Sequence, residues 1–226
     1  MVRRSALEPN FGHIVTQLSH DEKAVAVAAK GFMPADEGMV LFGWAIAAVS
    51  ANGAAVEIGS YCGKSSIYLG SAARQNNATL FTIDHHRGSE ELDWGWEHHD
   101  PETVSDGRIN TLPFLRSNVS AAGLEKFVLP VVGGSAELGR VWRATIDMLF
   151  IDGGHSYEIV GADFEAWEHK VRPGGCIAMH DVYEDPQHGG QGPFEVWRRA
   201  VESGWADADR HRSLRLLRKP AQATSV

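Results

Sequence analysis

Acidic and imidazole side chains follow two apolar runs in the second half of the chain. Asp152 ends the first run, and His155 follows it three residues later in a glycine-bearing turn, while Asp181 ends the second run. Carboxylates at neighbouring strand ends form an oxygen-rich site that suits Mg²⁺. An imidazole, whose unperturbed pKa is about 6.5, can then take a proton from a hydroxyl. We therefore predict Asp152, His155 and Asp181 as catalytic residues; strand-end caps and a loop histidine are the alternative.

A glycine-bearing turn follows an earlier apolar run. Gly59 and Gly63 permit tight backbone geometry and the close approach of a ligand. Tyr61 stands where the second glycine of a GxGxxG motif would make room for a pyrophosphate, and the Walker spacing lacks its first glycine. The turn therefore predicts a nucleoside without a phosphate bridge and disfavours a nicotinamide-dependent reductase. An ordinary strand-to-helix turn is the alternative.

Two more acids lie near the ends of the first two apolar runs. Glu57 in a buried strand needs hydrogen-bond donors, either turn amides or the ammonium group of a bound amino acid. Asp84 can accept both hydroxyls of a ribose, although a helix N-cap is the alternative. Together the two strand ends favour a nucleoside-binding site.

Short apolar runs alternate with amphipathic ones along the chain. The predicted strands are Ala54–Ile58, Thr79–Ile83, Val128–Val132, Ile146–Ile151, Cys176–Met179 and Leu214–Leu217. The predicted helices are Lys23–Ala29 with Ser19 in its capping signal, Ala35–Val49, Ser65–Arg74, one near Ser117–Ala122, Ser135–Val141, Tyr157–Val171 and Pro193–Ser203. In these strands apolar and polar residues do not alternate, which indicates burial on both faces. We therefore expect a doubly wound α/β fold with a mostly parallel, seven-stranded sheet. Its ligand should lie beyond the carboxyl ends of the strands.

The chain length allows one α/β domain with a helical addition. We expect residues 1–50 to form an N-terminal helical cap and residues 51–226 to form the catalytic domain. The apolar N-terminal helices suit either a cap over the site or a homodimer interface.

Composition limits the partners and the compartment. The 226 residues are 43% hydrophobic and 22% charged, which suits a folded core, and the net charge of −8 disfavours a nucleic-acid partner. The two cysteines, Cys62 and Cys176, cannot form a disulfide framework. We find neither a signal-peptide pattern nor an apolar stretch of ~18 residues, so we expect a cytoplasmic protein without a membrane partner.

Two segments, Ala35–Gly38 and Val56–Ser65, resemble the catechol and caffeoyl-CoA O-methyltransferases. The resemblance implies a class I, Rossmann-like methyltransferase fold with S-adenosylmethionine as co-substrate. In those families the glycine turn holds the methionine part, the acid after the second strand holds the ribose, and a segment similar to Gly133–Glu137 flanks the adenine. Carried over residue by residue, the cofactor contacts are Glu57, Gly59, Ser60, Tyr61, Gly63, Ser65, Asp84, Ser135, Ala136 and Asp152.

The Asp-x-x-His pattern followed by His-Asp is similar to the macrolide sugar O-methyltransferases. This resemblance implies Mg²⁺ bound by an aspartate and a later acid pair, with His155 as the base; the catechol family has a lysine in its place. His180 stands where those families usually carry an acid. We therefore expect the ligands Asp152 and Asp181, with His180 as a weaker third. Because imidazole also suits Zn²⁺, Mn²⁺ or Fe²⁺, the metal's identity stays open.

Two loops should select the acceptor. A long insertion after Asp84 carries His85, His86, Trp94 and Trp96, and Tyr183 begins a second loop. Tryptophan and histidine suit the stacking and hydrogen bonding of a sugar, although the histidines, with His98 and His99, offer zinc binding as a minor alternative. The pattern favours a saccharide or another hydroxyl-bearing small molecule and is similar to mycobacterial O-methyltransferases that act on methylated mannosides. A phenol or catechol acceptor, or a non-catalytic nucleoside-binding protein, is the alternative.

Overall fold

The computed structural model describes residues 17–88 and 100–221. The helices are α1 (His20–Ala28), α2 (Ala35–Ala48), α3 (Lys64–Gln75), α4 (Leu112–Ala121), α5 (Ser135–Val141), α6 (Tyr157–Trp167) and α7 (Gly192–Glu202). The strands are β1 (Ala54–Ile58), β2 (Thr79–Asp84), β3 (Val104–Ser105), β4 (Arg108–Ile109), β5 (Val128–Val132), β6 (Ile146–Ile151), β7 (Val171–Met179), β8 (Ala206–His211) and β9 (Leu214–Arg218).

Seven of these strands form one sheet in the order β5-β2-β1-β6-β7-β9-β8. The five strands from β5 to β7 run parallel, and β9 lies antiparallel to both β7 and β8. The chain moves outward from β1 through β2 to β5 and then returns to β6 beside β1. This reversal is the topological switch point at which doubly wound sheets bind their ligands. The predicted seven-stranded, mostly parallel architecture is confirmed.

Helices cover both faces of the sheet, which explains the apolar strands without alternation. On β6, all six residues are buried. Met148 and Phe150 belong to the core cluster that α1 to α4 cover, whereas Leu149 and Ile151 belong to the cluster under α6 and α7. A strand buried on both sides is apolar at most positions, and the exception, Asp147, is paired with Ser50 and Arg172.

Several elements differ from the sequence expectations, among them α4, which begins at Leu112 and not near Ser117. The strand β8 was not predicted, because Ala206–His211 is polar and mostly exposed; it pairs only with β9 at the sheet edge. The helix predicted to reach Val171 ends at Trp167, and Val171 already begins β7. The small ribbon of β3 and β4 is too short to give a sequence pattern. For the strands, backbone pairing decides the structure where side-chain hydrophobicity gives no signal.

The N-terminal helices pack against the sheet-covering helix α3. The predicted cap of α1 is confirmed as a capping box, in which Ser19 and Glu22 exchange backbone and side-chain hydrogen bonds. On α2, Gly38 faces the ring of Tyr68, and a Cβ atom at Gly38 would lie 2.3 Å from Cε2 of that ring. Within the described ranges, no helix has the length and apolarity needed to cross a membrane.

We predict opposite effects for the same substitution at two positions of α2. Gly38→Ala should destabilise the protein by about 1–3 kcal/mol, because the added methyl group overlaps the buried Tyr68 ring. Gly43→Ala is the matched control: no atom lies within 4 Å of the added Cβ, so better helix propensity should stabilise by about 0.5–1 kcal/mol. Urea unfolding of both variants measures these changes. Equal changes in the free energy of unfolding would contradict the predicted overlap with Tyr68.

Candidate functional site

A cavity of about 1070 Å³ opens at the carboxyl ends of β1, β2, β6 and β7. The turn after β1, the start of α5, one side of α6 and the loop between α1 and α2 border it. Ligand pockets commonly measure about 300–1,000 Å³, so this cavity lies at the upper end of that range. Its place at the switch point agrees with the sequence expectation.

Gly59 allows the ends of β1 and β6 to approach each other. Its φ is +86°, and a Cβ atom there would lie 2.1 Å from the carbonyl oxygen of Asp152. Any side chain would therefore separate the two strand ends. The other predicted turn residues that border the cavity are Ser60, Tyr61 and Ser65.

Two residues predicted to contact the cofactor lie behind the turn instead. Gly63 begins α3 with a φ of +90° and packs on Leu115, whose Cδ1 would lie 2.6 Å from an added Cβ. Glu57 is fully buried, and its carboxylate accepts hydrogen bonds from the hydroxyls of Ser66 and Thr82. Neither Glu57 nor Gly63 borders the cavity. Hydroxyl groups thus supply donors to Oε2 of Glu57, whereas its buried Oε1 has no hydrogen-bond partner among the described residues.

Asp84 borders the cavity where a ribose was predicted. Its two carboxylate oxygens accept hydrogen bonds from the backbone amides of Tyr61 (2.8 Å) and His86 (2.7 Å), so its orientation is fixed. The two histidines that follow Asp84 have different surroundings. His85 borders the cavity, whereas His86 is buried away from it, with Nδ1 lying 2.7 Å from the hydroxyl of Thr111. This placement corrects the expectation that His86 contacts the acceptor.

The start of α5 forms another wall of the cavity. Ser135 and Ala136, predicted beside the adenine, both border it. The hydroxyl of Ser135 donates a hydrogen bond to the carboxylate of Asp163 on α6. The contact joins two helices at one end of the cavity.

Three carboxylates surround one buried imidazole at the opposite end of the cavity. Nδ1 of His180 lies 3.1 Å from Oδ1 of Asp152 and 3.2 Å from Oδ2 of Asp181. Its Nε2 lies 3.1 Å from Oε2 of Glu37 on α2. The same Asp181 oxygen lies 3.0 Å from Nε2 of His155. We call these five residues the carboxylate–imidazole cluster.

Within the cluster, opposite charges offset the cost of burying one another. Burial lowers the pKa of His180, but the surrounding carboxylates outweigh it and raise that pKa well above its usual range. Burial disfavours ionised Asp181 and Glu37, yet hydrogen bonds from the imidazoles hold the pKa of each below its usual value. For Asp152 burial prevails, and its pKa is raised. The surrounding carboxylates therefore favour the protonated form of His180.

The structure gives a different candidate metal set from the predicted one. Among the described residues, one ligand atom each from Asp152, His155 and Asp181 lie within 4.8 Å of one another. His180 is not in this set, and its two ring nitrogens lie 3.1 Å from carboxylate oxygens of Glu37 and Asp152. The predicted ligand roles of Asp152, His180 and Asp181 stay predictions.

The acceptor residues predicted in the loops are described only in part. Tyr183 borders the cavity, and its hydroxyl donates a 3.0 Å hydrogen bond to Oδ1 of Asp181. Trp94 and Trp96, with His98 and His99, lie outside the described residues, so their predicted roles stay predictions.

Two site residues, Glu37 and Asp163, were missed by the sequence reasoning. Glu37 meets His180 across 143 positions of sequence, a separation that conceals the contact. Asp163 is an acid on the same side of α6 as the buried Phe164 and Trp167. An acid on an apolar helix face is the signal that would have drawn attention to it.

The comparisons with known proteins identify a family. A family model described as a methyltransferase domain matches residues 56–182, which is more than half of the chain. A relative from Sinorhizobium fredii, the uncharacterized protein y4gI, is 37% identical over 65 residues, covering 29% of this chain. The match spans only 7% of that relative's length.

Solved structures share the fold at low sequence identity. Cofactor-bound Rv0187 from MTB is 18% identical, with a TM-score of 0.64 and coverage of 89% of this chain and 88% of that one. The O-methyltransferase TomG from Streptomyces achromogenes, in complex with SAM, is 20% identical, with a TM-score of 0.61 and coverage of 92% and 93%. An O-methyltransferase from Bacillus cereus, in complex with SAH, is 16% identical, with a TM-score of 0.61 and coverage of 91% and 94%. These matches confirm the class I methyltransferase fold expected from the sequence.

The buried Glu57 leads to a prediction about stability and pH. Burial raises the pKa of Glu57 to about 7, despite opposing hydrogen bonds from Ser65, Ser66 and Thr82. A carboxyl group whose pKa is raised by folding stabilises the fold at low pH and loses this contribution as the pH rises through about 7. Glu57→Gln avoids the ionisation cost, so the variant should gain up to about 3 kcal/mol relative to the natural protein between pH 5 and pH 8.

Urea unfolding at several pH values measures this difference. Glu125→Gln, at an exposed position, is the control and should show little change with pH. A difference between Glu57→Gln and the natural protein that stays constant from pH 5 to pH 8 is the result that contradicts the prediction.

Proposed function

Because the chain belongs to the methyltransferase-domain family, we propose that it is an S-adenosylmethionine-dependent O-methyltransferase. The observation that carries the proposal is a single cavity that joins Asp84 to the carboxylate–imidazole cluster. One end suits a nucleoside and the other suits the deprotonation of a hydroxyl. Two of the matched O-methyltransferase structures hold SAM or SAH, which supports the choice of donor.

The donor would lie along the ends of β1, β2 and β6. The carboxylate of Asp84, with its orientation fixed by two backbone amides, would accept the ribose hydroxyls. Ser135 and Ala136 would flank the adenine. The side-chain-free Gly59, together with Ser60, Tyr61, Ser65 and Asp152, would hold the methionine part. The residues present fit this molecule because the turn residues, Asp84 and the start of α5 all border one continuous cavity.

Methyl transfer from a sulfonium is an in-line displacement. The acceptor oxygen forms a bond to the methyl carbon, the carbon–sulfur bond breaks with its electron pair passing to sulfur, and the hydroxyl proton passes to His155. The protein must align oxygen, carbon and sulfur and make the oxygen nucleophilic. Asp181, 3.0 Å from the ring of His155, orients that ring and stabilises its charged form.

A divalent cation fits the same end of the cavity. Asp152 and Asp181 would hold Mg²⁺ or Mn²⁺, since both contribute oxygen atoms and their ligand atoms lie within 4.8 Å of each other. The cation would stabilise the developing alkoxide of the acceptor. In this proposal His155 serves as the base beside the metal.

We favour a saccharide hydroxyl as the acceptor. Polar side chains that border the cavity, among them Tyr183, His85 and His188, support hydrogen bonding to a polyhydroxylated molecule. A phenol or catechol is the second candidate, because the rings of Phe32 and Tyr61 lie 5.6 Å apart beside the cavity and offer an apolar wall. Turnover with a panel of sugars and phenols distinguishes the two classes.

We also propose that residues 1–50 cap the site and residues 51–226 carry the catalytic domain. The support is Glu37, whose side chain reaches from α2 into the carboxylate–imidazole cluster.

The proposed base gives a direct kinetic prediction. His155→Ala should lower kcat about 10²–10⁴-fold, because the acceptor then loses its proton only to water. S-adenosylhomocysteine binding, measured by calorimetry, should persist. His169→Ala, at an exposed position outside the cavity, is the control. Near-normal turnover of His155→Ala would remove His155 from this role.

Removal of the divalent cation gives a second prediction. Treatment with EDTA followed by dialysis should abolish methyl transfer, and added Mg²⁺ or Mn²⁺ should restore it. Asp152→Asn should not recover at the Mg²⁺ concentration that restores the natural protein, because one ligand has lost its charge. Full turnover in EDTA would show that the metal has no part in catalysis.

A further inference from the structure

Asp163 is a buried acid for which the proposed reaction has no use. Its side chain belongs to α6, is 4% exposed and borders the cavity. Glu158, Ile159 and Ala162 of the same helix also border the cavity, so one stripe of α6 faces the start of α5. A flat ligand between the two helices would have Asp163 at its edge.

The two carboxylate oxygens of Asp163 have different surroundings. Oδ1 accepts a hydrogen bond from the hydroxyl of Ser135, and the carbonyl of Ser135 is itself held by the indole of Trp167 at 2.9 Å. Within the described part of the chain, Ser135 is the one hydrogen-bond partner of the Asp163 side chain. A buried carboxylate with a single donor is incompletely satisfied.

The second oxygen faces the cavity through a gap left by a glycine. A Cβ atom on Gly153 would lie 3.4 Å from Oδ2 of Asp163 and 3.6 Å from Cγ2 of Ile58. Because Gly153 and Ile58 also border the cavity, the missing side chain leaves Oδ2 open to a ligand. Ser135 and Ala136, in the first turn of α5, border the same cavity.

We propose that Oδ2 of Asp163 accepts a hydrogen bond from the exocyclic amine of the adenine and so selects an adenosyl donor. The inference rests on the proposed function, which places adenine beside Ser135 and Ala136. A carboxylate offers only acceptors, and the exocyclic amine of adenine is a donor. A purine with a carbonyl oxygen at that position would bring two acceptors together and lose the contact.

The ionisation of Asp163 is consistent with this role. Burial raises its pKa to about 6, although the hydrogen bond from Ser135 opposes the shift. At neutral pH the group is therefore mainly a carboxylate.

The test compares S-adenosylhomocysteine with S-inosylhomocysteine, which carries oxygen in place of the amine. Calorimetry should show about 10–100-fold tighter binding of the adenosyl compound by the natural protein, as expected for a hydrogen bond to a charged group. In Asp163→Asn the ratio of the two affinities should fall to near one, because the asparagine amide can also donate a hydrogen bond to the oxygen of the inosyl compound. Asp163→Ser is a second variant that should lose the same preference.

Two controls separate recognition from structure. Glu165→Gln removes a carboxylate from the same helix, where it pairs with Arg199 outside the cavity, and should keep the ratio. Ser135→Ala removes the hydroxyl partner of Asp163 and should weaken both compounds while keeping the preference. If Asp163 only supports Ser135, both Asp163 variants should likewise weaken the two compounds equally.

The outcomes distinguish this inference from the proposed function. A natural protein that binds both compounds equally, or Asp163 variants that keep the preference, would overturn the inference alone. If Ser135→Ala loses the preference as fully as Asp163→Asn, the direct contact is also wrong. Failure of the natural protein to bind S-adenosylhomocysteine at all overturns the proposed function itself.

Discussion

The buried ring of His180 is the contact on which the arrangement of the site depends. It joins Glu37 of α2 to Asp152 after β6 and to Asp181 after β7. Glu37 also accepts hydrogen bonds from the backbone amide and hydroxyl of Ser213, before β9. Four parts of the fold therefore meet at the pair formed by His180 and Glu37. Removing one partner of such a buried pair leaves an uncompensated charge, which typically costs about 3–5 kcal/mol.

The glycine turn brings a second constraint to the same place. Because Gly59 has no side chain, the end of β1 lies directly against the backbone of Asp152 at the end of β6. The order of strands makes these two ends neighbours at the switch point. A ligand held by the turn is thus necessarily close to the acids that follow β6 and β7. The backbone geometry of one turn and the ion pairs of one histidine together define the cavity.

Local sequence patterns predicted the parts of the site that follow apolar strands. Asp84, Asp152 and Asp181 were found because a buried strand in a parallel sheet is apolar throughout and its end is easy to recognise. The orientation of a side chain after the strand end cannot be predicted from such a pattern. His86 has a φ of +57° and turns into the protein, a reversal that no composition rule foresees.

Contacts between distant segments were likewise beyond a reading of local patterns. The partner of His180 lies in the first turn of α2, and its identity follows from the packing of the N-terminal helices on the sheet. The sequence alone therefore gives the His180 imidazole no carboxylate partner from α2. The polar edge strand β8 was missed for a related reason, since its pairing with β9 depends on backbone hydrogen bonds and leaves its side chains exposed. The residues at strand ends can thus be predicted from the sequence. Their partners in distant segments of the chain can be identified only once the fold is known.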